Sequence, residues 1–158
     1  MRFKGPEHAL RWAFTMHRRA HYASVNLHEA RSTDPNGMTI WDAHAQAALF
    51  IRQLDDLPLE ERAAMYAAFA IGDLRRHAIT ALGVTFAATV GSGLSNELMR
   101  DILANLITRR PQVRTMAKRH QTSYRQIVQA RKRIEQLWLP VHLRAIDTLA
   151  TKWADHFR

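Results

Sequence analysis

Residues 113–138 read VRTMAKRHQTSYRQIVQARKRIEQLW, and the reading of this stretch decides the fold. Val113, Met116 and Ala117 fall at three- and four-residue steps, the spacing of one face of a short helix. His120-Gln121-Thr122 interrupts that spacing and predicts a tight corner. Ser123 is placed to cap a second helix, its hydroxyl accepting from the backbone at Arg125 or Gln126. On that helix Ile127, Ala130, Ile134 and Leu137 or Trp138 share one side. Tyr124, Arg125, Val128, Gln129, Lys132 and Arg133 face mainly the other way. Two amphipathic helices meeting at a short corner predict a helix-turn-helix inside an all-α chain.

Charge is concentrated in the same place. The 158 residues hold 23 basic and 14 acidic side chains, a net charge of +9. No acidic residue occurs between Asp101 and Glu135, whereas Arg109, Arg110, Arg114, Lys118, Arg119, Arg125, Arg131, Lys132 and Arg133 supply nine positive charges there. Nine is the whole net charge, so the remainder of the chain is balanced. A cationic surface confined to one segment predicts a docking face for a polyanion.

Outward from this stretch the helical pattern continues in both directions. Towards the N-terminus, Ser95 is a natural cap for a helix ending near Arg109 or Arg110, and Gly91-Ser92-Gly93 is a break before it. Residues 73–90 read as one strongly apolar helix that Gly83 weakens. An alanine-rich helix opens at Pro58 or Leu59 and runs to Ile71, with Gly72 as its C-terminal cap. Thr39-Ile40-Trp41-Asp42 resembles a capping box, with Trp41, Ala45, Ala48, Leu49 and Ile51 or Arg52 following at helical steps. Residues 32–37 form a Pro-, Asn- and Gly-containing turn. Before it, a first helix runs from Pro6 to about Arg31, with Trp12, Met16, Ala20, Ala23 and Leu27 on one face. Beyond residue 138, Pro140 is expected to kink or restart the last helix, which then passes Leu143, Ile146, Leu149 and Trp153. The division implied is a helical N-terminal lobe over 1–107 and a helix-turn-helix lobe with the C-terminal helix over 108–158.

The side chains of residues 109–133 suit a nucleic-acid duplex. A helix fits the major groove, where Arg reaches guanine acceptors and Gln pairs with adenine. Residues near the start of the second helix do most of the reading in such a motif, which singles out Tyr124, Arg125, Gln126 and Gln129. Arg109, Arg110, Arg114, Lys118 and Arg119 are placed to neutralise phosphates and set register. Ser123, Lys132 and Arg133 complete the candidate DNA-binding set. Thr115-Met116-Ala117-Lys118-Arg119-His120-Gln121-Thr122-Ser123-Tyr124-Arg125-Gln126-Ile127 resembles the helix-turn-helix of sigma factor region 4, with Ala117, Ser123 and Ile127 at its small, capping and apolar positions. The basic tail from Gln129 to Leu137 is similar to that family's recognition helix. In pairing a helical N-terminal part with this motif, the chain also resembles phage antitermination proteins of the Q type. That resemblance implies sequence-specific DNA binding in transcription control, with RNA polymerase or its sigma factor as protein partner.

Other classes are weighed against this one. Cysteine is absent, which removes disulfides and thiolate metal sites. No apolar run reaches the ~18 residues of a membrane helix, and the charged N-terminus does not read as a signal peptide, so a cytoplasmic protein is expected. His17, His21 and His28 share one side of the first helix, but no Glu base or further ligand accompanies them, and no cofactor is expected. An Arg followed by a His, as in Arg114 to His120 or Arg11 to His17, suggests a helical ribonuclease of the HEPN kind. The His there lacks a visible partner and pocket, so a non-enzymatic protein is expected. A basic protein-interaction module is the third reading.

Overall fold

The computed structural model describes residues 3–23, 38–90 and 93–157. Seven α-helices occur among them and no strand: α1 Pro6–Ala23, α2 Ile40–Arg52, α3 Leu59–Phe69, α4 Asp73–Val90, α5 Asn96–Thr108, α6 Val113–Arg119 and α7 Tyr124–Lys152. The all-α expectation holds. The rest of the first helix, the turn at 32–37, Gly91 and Ser92 lie outside the described residues. So do His28 and the side chain of His21, and with them the proposed histidine face.

Local chemistry fixes most helix starts. Thr39 and Asp42 form the expected capping box: the Asp42 amide donates to the Thr39 hydroxyl at 3.2 Å, and the Thr39 amide to the Asp42 carboxylate at 3.2 Å. Ser95 caps α5 by accepting from the Leu98 amide. Pro58 stands at the N-cap of α3, where its missing N–H costs nothing. Contrary to the expectation from sequence, Gly72 does not cap α3. That helix stops at Phe69, and Gly72, with φ +66, turns the chain so that its carbonyl accepts from Arg76 and opens α4. Gly83 does not interrupt α4 either. It is buried where α5 crosses, and a Cβ there would stand 3.4 Å from Met99 Cγ. That is ordinary van der Waals contact, so the two helices pack without needing the missing side chain.

One buried cluster passes through all seven helices, from Phe3 to Trp153. On α2 the inward residues are Ala43, Ala47 and Phe50. The stripe from Trp41 to Leu49 that the sequence suggested faces outward, Trp41 being 66% exposed. Several apolar stripes fit one short helix, and tertiary packing selects among them.

The organising element is α7, whose 29 residues make a rod about 44 Å long. Its C-terminal half lies against α3 and α1, with Val141, Ala145 and Leu149 buried. There Trp153 packs edge-on to Phe50 at 4.8 Å, and its indole N–H donates to Gln53. Arg144 pairs with Glu61 at 3.4 Å and Lys152 pairs with Asp56, which fastens the rod to the start of α3. Pro140 does not restart the helix. Both Pro140 and Gln136, whose carbonyl loses its usual donor, are exposed, so water can satisfy that group.

His142 lies stacked between Trp138 at 4.7 Å and Phe69 at 6.1 Å. Burial lowers its pKa below the ordinary 6.5, with the charge of Glu7 opposing. The unfolded chain therefore takes up this proton first. The contribution to stability is complete above pH 6.5 and is lost as the pH falls below it. Acidification from pH 7.5 to 5.5 should lower the Tm of the wild type more than that of His142→Phe; equal losses would show that this histidine carries none of the effect.

Candidate functional site

Two polar residues set into the apolar face of α5 build the basic region. Asp101 and Asn105 are one helical turn apart, share a side, and are each only 7% exposed. Asp101 Oδ2 accepts from Arg119 Nη1 at 2.8 Å and lies 2.8 Å from His120 Nε2. Asn105 Nδ2 donates to the Pro111 carbonyl at 2.8 Å, and its Oδ1 accepts from Arg131 Nε at 2.9 Å. Thus one turn of α5 holds the lead into α6, the end of α6 and the second turn of α7. Burying such groups is tolerable only because each has a partner.

The corner between α6 and α7 closes on backbone bonds. His120 N donates to Met116 O at 2.9 Å and Thr122 N to Ala117 O at 3.1 Å, with Gln121 between them in the left-handed region at φ 49. The Thr122 to Ala117 bond across a left-handed residue is the 6→1 bond of a Schellman motif, made here without glycine. Ser123 then caps α7 reciprocally. The Gln126 amide donates to the Ser123 hydroxyl at 3.2 Å, and the Gln126 side-chain oxygen accepts from the Ser123 amide at 3.2 Å. Met116, Ile127 and Ile134 are fully buried and Ala130 nearly so, which is the inner face expected from the sequence.

Charge on the outer face is uncompensated. Arg109, Arg110, Arg114, Lys118, Arg125, Lys132 and Arg133 are exposed. Among the described residues none of the seven has a carboxylate within 4.0 Å. Elsewhere Arg11, Arg62, Arg76, Arg144 and Lys152 each do. Arg114 and Lys118 lie one turn apart on α6, and Arg125, Gln129, Lys132 and Arg133 follow one stripe of α7. Tyr124 is 56% exposed beside them. Three residues of the expected set have work inside the fold: Arg119 is tied to Asp101, and Ser123 and Gln126 are committed to the cap of α7. Arg131, one of the nine charges, is turned inward onto Asn105.

Sequence reading passed over Asp101, Asn105 and Gln121. The signal for the first two was an acid and an amide four residues apart on a face otherwise made of Leu98, Ile102 and Leu106. Nothing in residue type marks Gln121 as left-handed. Among the described residues, no group of three or more His, Asp and Glu side chains is placed to hold a metal ion. No helix there is long and apolar enough to cross a membrane. No family model, curated protein or solved structure matches the chain.

The clamp and the corner predict opposite signs in urea denaturation. Asp101→Ala strands the buried His120 ring nitrogen and should cost about 2–3 kcal/mol, and Asn105→Ala about 1–2 kcal/mol. Gln121→Gly relieves a left-handed backbone and should gain about 0.5–1 kcal/mol. A loss for Gln121→Gly, or neutrality for Asp101→Ala, would contradict this account of the corner.

Proposed function

We propose that the protein binds duplex DNA through a helix-turn-helix made by α6 and α7, in sequence-specific transcription control. The observation that carries this reading is the set of seven exposed, acid-free basic side chains, five on two helices that meet at a capped corner and two, Arg109 and Arg110, just before them. A merely solvated surface gains nothing from leaving so many cations unneutralised within one segment. A polyanion supplies the missing charge, and counterion release supplies the affinity. Arg125 and Gln129 have unengaged head groups near the start of α7, so direct base contacts fall to them, with Tyr124 beside them. Arg109, Arg110, Arg114 and Lys118 serve phosphates. The reading is of a binder and not an enzyme: His120, the best nuclease candidate, has its side chain only 9% exposed and is engaged with Asp101. The resemblance to Q-type antitermination proteins adds the narrower reading, contact with RNA polymerase or a sigma factor, and rests on sequence alone.

Affinity for duplex DNA should fall steeply with salt, with a log–log slope of about −4 to −5 for about five phosphate contacts. Arg125→Ala or Gln129→Ala should cost about 1–3 kcal/mol on the preferred site and much less on random duplex. Lys118→Ala should weaken both alike and reduce the slope by about one. Binding isotherms across a salt series measure all three. Uniform losses for Arg125→Ala and Lys118→Ala would leave a non-specific polyanion binder, and no binding at low salt would end the proposal.

A further inference from the structure

The geometry points to a second recognition element beside that face: a pocket for a single unpaired nucleobase extruded from the nucleic acid that α7 engages. It rests on the duplex-binding reading above. A cleft of about 410 Å³ runs between the junction of α4 with α5 and the first turns of α7, within the size range of small-ligand sites. Its apolar part includes Leu94, Leu98 and Ala130, and its polar part Gln126, Gln129 and Arg133. One wall is therefore the same stripe of α7 that carries the exposed cations.

The chemistry of the lining selects the ligand. An apolar wall offers packing for a flat ring. Gln129, exposed and with its carboxamide unengaged, sets a donor beside an acceptor, the complement of the donor and acceptor that an unpaired base carries side by side on its edge. Gln126 has its oxygen held by the Ser123 cap, so towards the cleft it can only donate. Arg133, with no carboxylate within 4.0 Å, is a cation next to the cleft and suits the phosphate of the same nucleotide. A purely apolar ligand would bury the amide and guanidinium without partners. A small inorganic anion would leave the apolar wall unused. An extruded base with its own phosphate uses every part, and packing plus hydrogen bonds to a base edge is how such bases are held.

The test compares three duplexes of one sequence: fully paired, with one bulged adenine, and with one bulged abasic nucleotide. The wild type should bind the bulged adenine about tenfold more tightly than the paired duplex. Leu94→Trp, which fills the cleft, should abolish that preference and leave paired-duplex affinity unchanged. Lys118→Ala should weaken all three alike. Equal wild-type affinity for paired and bulged duplexes, or a preference that survives in folded Leu94→Trp, overturns the pocket while leaving duplex binding standing. Should Leu94→Trp fail to fold in a thermal melt, Gln129→Ala takes its place: loss of the preference for the bulged adenine over the abasic bulge supports the pocket, and its retention overturns it. If no duplex binds at low salt, the function proposed above fails. Deoxyadenosine monophosphate titrated against the amide resonances of Leu94 and Gln129 then decides the cleft alone, saturable shifts supporting it and their absence overturning it.

Discussion

Everything on the basic side of the molecule depends on two buried polar side chains one turn apart on α5. Asp101 and Asn105 are costly to bury, and the fold recovers that cost by making each a junction. Between them they engage Arg119, His120, the Pro111 carbonyl and Arg131. Apolar packing of Met116 and Ile127 would hold α6 near α7 but would leave its angle loosely set. Hydrogen bonds have direction, and four of them leave one angle.

The same pair explains where the acids are. In a segment with nine cations and no acid of its own, Asp101 is the carboxylate that reaches in from α5, and it is buried. It neutralises one arginine at the edge of the corner and leaves the outer stripe untouched. A carboxylate among the exposed positions of α7 would have quenched that stripe. The ion pairs that do stabilise the fold, such as Arg144 with Glu61 and Lys152 with Asp56, sit along the other half of α7. Cations paired with a carboxylate and cations without one are thus separated along one helix.

Sequence made the helices legible wherever a start signal was local. Thr39, Ser95 and Ser123 each cap the helix they precede because the cap involves residues within three positions. The inner faces of α6 and α7 were readable for a similar reason: Met116, Ile127 and Ile134 leave little choice of stripe. The outward turn of Trp41 was not readable, because which side of α2 meets Phe3 and Trp153 is settled by residues far away in the chain. The candidate site was legible as a list of charges but not as a constructed object. That Arg131 points inward and that Arg119 is tethered depend on contacts 26 and 18 residues apart, to which composition is blind.

The continuity of α7 through Pro140 makes the helix a lever. Its C-terminal arm is embedded beside Phe50 and Trp153, and its other end carries Arg125. On a rod about 44 Å long, a tilt of about one degree at the embedded end moves the tip by about 0.8 Å, a large fraction of hydrogen-bond tolerance. Tolerance for sequence drift around Trp153 is then set by aiming accuracy at the far tip as well as by local packing. If α7 reads DNA as proposed, residues that never touch the duplex inherit the tolerances of those that do.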